Sequence, residues 1–390
     1  MTGQPAPTVS GIGLVPNGRY SIPDRDLALG VIREAVAEAG LDLSAIDGLY
    51  MPSPRPWTPQ GFFSTYLHRL LGLETRRSIE VATGGTSGGH AFHAAVENVR
   101  SGAVEAALVL ALERHSLIET TGPYFDYVAT LFDREFETPI GLTIPGVYAQ
   151  SLRRYLFEYG IEREDVAEIV VKNRRNARAN PNALFDEAVT RREVLSSRPI
   201  ADPIRLYECP APCDGAAAVV ITDGPSDGAA EPPVSVAGIG AHHAASHLLM
   251  SHRNEPTELP AIAESASRAV ADAGVGVDAI DVFEPYTPFP HIEAIFAEEL
   301  GLVGRGEGVD ACLDGTTAPD GAHPISPSGG CLGRGHPPMV TPLLNHVEAV
   351  KQLRGTASTQ VDGAEYAMTT AEHGHVNGVT ATVFTTEAPA

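Results

Sequence analysis

Cysteine is scarce in this chain of 390 residues: only Cys209, Cys213, Cys312 and Cys331 occur. So few thiols exclude a disulfide scaffold. Cys209 and Cys213 are the one close pair, and with no second pair nearby they fall short of the four ligands a structural zinc site needs, so no metal is expected. Basic side chains are also few. The chain has 27 Lys and Arg against 49 Asp and Glu, a formal net charge of -22, which argues against nucleic acid or an anionic membrane surface as a main partner. Its longest apolar runs, such as 104–112, are far below the roughly 20 residues of a membrane span. The opening MTGQPAPT lacks the charged and apolar regions of a signal peptide. The expectation is a soluble, cytoplasmic protein with no membrane insertion.

What is present is a repeat. The segment 35–47 (AVAEAGLDLSAID) matches 269–281 (AVADAGVGVDAID) at eight of thirteen positions. Upstream, 9–13 (VSGIG) echoes 236–240 (VAGIG). A strand ending in Gly-Ile-Gly, a helix, Ala-Ile-Asp and a further strand, repeated in that order, reads as two copies of one α/β unit. Boundaries at 1–225 and 234–390 follow, joined by the linker 223–233 (DGPSDGAAEPP), whose composition is that of a loop. Continuous apolar runs at 106–112 and 214–221 suit central strands covered on both faces. Between them, about 115–205 forms an excursion with its own helices, expected at 148–159 and 163–178. Such an excursion is commonly a lid or substrate-binding element.

The segment 84–89 reads GGTSGG. It follows a β-like run at 78–81 and opens an Ala-rich helix at 90–100. A strand, then glycines, then a helix N-terminus brings backbone N–H groups together on an anion or a developing oxyanion.

A duplicated α/β unit with such turns resembles the thiolase superfamily, most closely its sterol-carrier-protein-x and lipid-transfer-protein-like members. The most specific pieces are 174–185 (RRNARANPNALF), 200–221 and 328–355. The resemblance implies two βαβαβαββ halves forming a five-layered α-β-α-β-α core, with a helical loop-domain excursion, in a homodimer. Of four catalytic loops, one is intact. Gly85-Thr86-Ser87 stands where the family has Cys-x-Ser, which puts glycine at the nucleophile position. Phe283-Glu284-Pro285-Tyr286 replaces the Asn or His of the second loop and its neighbours. Gly335-His336-Pro337 is complete, whereas the last loop, Cys-x-Gly, falls at about Glu372-His373-Gly374-His375 without cysteine.

Thiolytic chemistry needs a thiolate that becomes an acyl-enzyme, and glycine supplies none. Ser87 lacks an evident base. Cys331, in the Gly-rich run before His336, is a spare thiol or simply packs in a tight turn. His336, in its rigid turn, is the leading proton-transfer group. Tyr286 either exchanges a proton with a substrate oxygen or packs beside its aromatic neighbours. His373 and His375 are both open as replacements for the missing acid/base, around Gly374. Arg174, Arg175 and Arg178 are candidates for the phosphates of CoA, or merely a solvated helix face; their spacing places Arg174 and Arg178 together.

Without a thiolate, the remaining parts suit an enolate of a CoA thioester. The expected activity is making or breaking a C–C bond in an acyl-CoA by aldol or retro-aldol chemistry, with CoA as part of the substrate and no separate cofactor. The alternatives are an acyltransferase using a displaced nucleophile such as Cys331, and a non-catalytic acyl-CoA or lipid carrier. Lipid-transfer-like aldolases that cleave steroid side chains act with a small OB-fold, zinc-ribbon companion, and the resemblance extends that expectation here.

Overall fold

The computed structural model describes residues 6–244 and 255–387; the first five residues, part of the segment read above for a leader, lie outside them. The chain alternates β1 (Pro7–Leu14), α1 (Asp24–Glu38), β2 (Gly48–Pro52), α2 (Phe63–Leu71), β3 (Arg77–Val81), α3 (Ser87–Arg100) and β4 (Ala106–Arg114). The excursion carries α4 (Thr121–Val128), α5 (Ile144–Tyr159), α6 (Arg163–Ala177), α7 (Arg191–Ser196) and a short hairpin, β5 (Pro199–Ala201) and β6 (Ile204–Arg205). Then follow β7 (Asp214–Asp223), β8 (Val234–His243), α8 (Pro260–Ala273), β9 (Val282–Glu284), α9 (Pro290–Glu299), α10 (Gly308–Leu313), α11 (Gly330–Gly333), α12 (Thr341–Leu353), β10 (Tyr366–His373) and β11 (Gly378–Thr385).

Nine strands lie in the order β3-β2-β4-β7-β1-β8-β11-β10-β9. The junction is narrow, since β1 and β8 pair only through Thr8–Ser235 and Val9–Val234. Either side of it the order runs inward as third, second, fourth, fifth, first in the one repeat and second, fourth, fifth, first in the other. In the second repeat the third strand is reduced to one parallel bridge, Phe283 to Ile325. The chain beyond Ile325 is thereby released from the sheet to build turns at the site.

The layers follow from which faces are apolar. In β4, Leu108 and Leu110 pack with Leu27, Val31 and Ile32 of α1, while Val109 and Ala111 pack with Phe92 and Val96 of α3. Alternate residues are thus buried on opposite faces, which is why the run is apolar without interruption. Leu343 and Val347 of α12 join α3 between the two parts of the sheet, and Ile262 of α8 with Ile292 and Ile295 of α9 cover the far face. The result is α-β-α-β-α.

The repeated Gly-Ile-Gly has a common steric cause. A Cβ on Gly11 would lie 2.0 Å from the Ala35 carbonyl oxygen, and one on Gly13 2.2 Å from that of Val31. On Gly238 and Gly240 it would meet the Ala269 and Ser265 oxygens at 2.1 and 2.2 Å. In each copy a helix backbone lies directly on the first strand, and only glycine leaves room. The repeated aspartates match too. Asp47 accepts from the Glu105 and Ala106 N–H groups at the start of β4; Asp281 accepts from those of Glu365 and Tyr366 at the start of β10. The two central helices begin against one another, for a Cβ on Gly88 would stand 3.1 Å from Pro342.

Candidate active site

Where α3 and α12 begin, a cavity of about 280 Å³ opens. Its inner wall holds Gly85, Tyr148, Tyr286, His336, Glu372, His373, Gly374 and Arg55. Its outer wall comes largely from the excursion: Tyr124, Phe125, Val128, Leu131, Ile144, Ile200 and Leu206. Phe125, Leu131, Ile200 and Leu206 are 43, 44, 37 and 42% exposed, so the rim offered to an entering ligand is apolar.

The intact turn places its histidine against the tyrosine of the second loop. Tyr286 Oη and His336 Nε2 are 2.5 Å apart and both residues are buried. The His336 N–H is held by the Ala211 carbonyl, and its Nδ1 has no partner. Burial, reinforced by Arg55, His115 and Arg334, lowers the imidazole pKa to about 3. Burial also pushes the Tyr286 phenol well up, with Cys331 and Glu372 adding to it and Arg55 opposing. A neutral imidazole and a neutral phenol share this hydrogen bond.

The last loop supplies a different group from the two histidines expected. Glu372 is buried, and burial raises its carboxyl to about 8, partly offset by Tyr148 and the Val376 backbone. Tyr148 Oη donates to Glu372 Oε1 at 3.2 Å and also lies 3.3 Å from the Gly374 carbonyl. The Tyr148 ring is fixed by stacking on Phe289, centroids 4.3 Å apart. A carboxyl kept protonated near neutrality on a cavity wall is suited to proton transfer. Counting back from Gly374 in a Cys-x-Gly spacing lands on Glu372, so the signal was in the sequence. Tyr148 and Arg55 had none.

His373 lines the cavity but is occupied: Nδ1 meets Thr86 Oγ1 at 2.9 Å and Nε2 meets His243 Nε2 at 2.8 Å. Burial, with His243 and His90, lowers it to about 4. His375 stands off the cavity, its ring 4.9 Å from that of Tyr148.

Glycine at residue 85 is sterically required. A Cβ there would lie 2.1 Å from the Glu372 carbonyl oxygen and 3.3 Å from the Tyr286 ring. Ser87, a residue of the oxyanion-type turn, has no base beside it here either: its hydroxyl donates to the Gly84 carbonyl at 2.6 Å and accepts the Thr83 N–H at 2.9 Å, bracing the turn that enters the helix. Cys331 is corrected as a nucleophile. It is 1% exposed against Tyr286 and Ala371, burial pushes its thiol well up, and it does not line the cavity. Phe283 packs on Phe296 in the core. Arg178 follows Arg174 by one helical turn, its N–H on the Arg174 carbonyl as the spacing predicts, but the two side chains do not share an environment. Arg174 is buried with its guanidinium 3.2 Å from the Phe185 ring centroid, whereas Arg175 and Arg178 are exposed.

Comparison with known proteins agrees with this frame. Residues 12–224 match the thiolase N-terminal domain and 242–386 a thiolase C-terminal domain-like family. An acetyl-CoA acetyltransferase of Methanothermobacter thermautotrophicus is 34% identical over 90% of this chain and 91% of its own. A steroid side-chain-cleaving aldolase of Thermomonospora curvata is 27% identical over 95% of each. Among solved structures, an Ltp2-ChsH2(DUF35) aldolase superposes with a TM-score of 0.83 at 26% identity, covering 98% of both chains.

Proposed function

The chain belongs to the thiolase family, and from that premise we propose that it is a C–C lyase of aldol type acting on a β-hydroxyacyl-CoA with a bulky apolar acyl group. One observation carries the reading: the Glu372 carbonyl oxygen fills the space a side chain at Gly85 would need. The cavity therefore keeps acid–base groups where the nucleophile is excluded. The apolar rim supports an apolar acyl group, and the likeness to the two aldolases supports the direction of the chemistry.

The reaction needs no acyl-enzyme. The substrate β-hydroxyl gives its proton to Tyr286 Oη as Tyr286 passes its own to His336 Nε2. The bond between Cα and Cβ breaks, Cβ becomes a carbonyl, and the electron pair moves into the thioester as an enolate. Gly85 brings to this side the start of a helix, whose first N–H groups have no partner within the helix, and these stabilise the enolate oxygen. Glu372 delivers a proton to Cα. Imidazolium and carboxylate then exchange with solvent, so neither water nor free CoA is consumed.

The wider proposal is a cytoplasmic homodimer that binds the CoA phosphates through exposed arginines such as Arg175 and Arg178 and works beside a small OB-fold, zinc-ribbon companion. Among the described residues no helix is long and apolar enough to cross a membrane. The test is incubation with β-hydroxyacyl-CoA, with and without a co-purified companion, followed by chromatography. Release of a shortened acyl-CoA and a carbonyl compound, lost in His336→Ala, is expected. Turnover only of β-ketoacyl-CoA plus free CoA would sink the reading in favour of acyl transfer; tight binding without turnover would favour a carrier.

A further inference from the structure

Arg55 is a buried cation on the cavity wall that takes no part in the proton transfers of Tyr286, His336 and Glu372. It follows β2 in a turn closed by the Thr58 N–H on its own carbonyl at 2.9 Å. Its side chain is 8% exposed. The guanidinium carbon sits 4.8 Å from the Tyr127 ring centroid and 5.8 Å from that of Trp57. Its Nε is 3.7 Å from Glu113 Oε2, an ion pair too long for a hydrogen bond, and neither atom has a hydrogen-bond partner. No described residue accepts from the guanidinium's other nitrogens, which are not among the sealed, unpartnered atoms. Glu113 is held from its other side by Trp57 Nε1 at 3.1 Å. A buried guanidinium whose donors no described residue uses, on the wall of a ligand cavity, is a donor suited to an oxygen of the ligand.

Its place in the cavity says which oxygen. Among the described residues that line the cavity Arg55 is the one lysine or arginine, and it shares that lining with Tyr286, His336, Glu372, Tyr148 and Gly85. Glu372 has its own neighbours there: its carboxyl receives the Tyr148 hydroxyl and its carbonyl oxygen faces Gly85. In the aldol reading the enolate forms at Gly85 and receives its proton from Glu372. The oxygen that loses its proton to Tyr286 is the one these groups leave without a partner for its charge, and Arg55 is the cation the cavity wall offers it.

We infer that Arg55 binds the β-oxygen of the acyl group, as hydroxyl in the substrate, alkoxide as the proton leaves, and carbonyl in the product. Bonding to all three, and most strongly to the alkoxide, is differential stabilisation of the charge that develops. The guanidinium is held beside the Tyr127 and Trp57 rings, which limits the freedom it would lose on binding an oxygen. This inference rests on the aldol reading for the alkoxide and stands apart from it for the recognition of a β-oxygen.

The test compares Arg55→Met and Arg55→Lys with the wild type in two measurements. Calorimetry gives affinity for a β-hydroxyacyl-CoA and for the matching acyl-CoA without β-oxygen. The wild type is expected to prefer the β-oxygenated ligand by about tenfold or more, the worth of one charge-assisted hydrogen bond, and both variants to lose the preference. An unchanged preference overturns the inference, whether or not the wild type turns over. Should the wild type bind with this preference and cleave nothing, the aldol reading falls and the β-oxygen site remains. Where cleavage occurs, kcat is expected to fall about 10²-fold or more in Arg55→Met, as for loss of an oxyanion donor. Deuterium exchange at Cα of the deoxy acyl-CoA should stay within threefold of wild type. Equal loss of cleavage and exchange would place Arg55 on the enolate or in the frame, and would overturn the assignment.

Discussion

The carbonyl oxygen of Glu372 stands 2.1 Å from where the Cβ of residue 85 would be. The loss of the nucleophile is therefore built into the packing of two loops. Gly85→Cys is expected to destabilise the fold by about 3 kcal/mol, the upper range for overpacking, because the obstacle is backbone. Thermal melting measures this, and mass spectrometry after mixing with acyl-CoA should find no adduct. A stable, acylated Gly85→Cys protein would show that the loop yields and would refute the steric account.

His336 and Tyr286 are expected to act as one proton relay. His336→Ala and Tyr286→Phe should each lower kcat by about 10² to 10⁴, the range for a positioned acid or base. The double variant should lose little more than either alone. Losses that multiply would mean the two work separately despite their 2.5 Å contact.

The pH dependence follows from Glu372. Its carboxyl is raised to about 8, so the acid form that protonates Cα is lost above that pH and kcat should fall there. His336, lowered to about 3, stays neutral across the same range and sets no limb near neutrality. Glu372→Gln should be slower and lack the alkaline limb. Stability has the same origin: the folded state keeps a proton that the unfolded carboxyl, near 4.5, has released. The wild type should accordingly lose stability as pH rises from about 4.5 to about 8, and Glu372→Gln should flatten that slope in melts across the series. An alkaline limb persisting in the variant would assign it to another group.

Cys331→Ala tests the displaced-nucleophile alternative. The thiol is sealed from the cavity, so activity within about threefold of wild type is expected, with any loss appearing as lower stability from the small void. Abolished turnover in a folded Cys331→Ala protein would revive acyl transfer.

Much of the frame was legible before the structure. The Gly-Ile-Gly and Ala-Ile-Asp repeats mark close helix–strand crossings and strand-start caps, both dictated by local backbone contacts. The run 214–221 lies within β7, whose length is Asp214–Asp223. The site was legible only where a motif stayed whole. His336 and Tyr286 are separated by 50 positions, and the intact turn and its loop pointed to each. Glu372 was overshadowed by the adjacent histidines, whose ring nitrogens His373 commits to Thr86 and His243. The state of Arg174 was also hidden, because helical spacing is silent about Phe185, which arrives from a later turn to cover it. Arg55 belongs to no motif, and its meaning depends on neighbours as distant as Tyr127.

The abutting starts of α3 and α12, in contact at Gly88 and Pro342, carry an electrical consequence. Each helix turns the positive end of its dipole, roughly half an elementary charge, toward a turn that lines the cavity, at Gly85 before α3 and at Pro338 before α12. The duplication thus turns two copies of one element into a paired positive source, aimed inward from a protein whose formal charge is -22. A polyanionic ligand repelled by the outer surface would meet a reversal of field at the pocket floor, strongest in dilute salt and weakened as ions screen the approach.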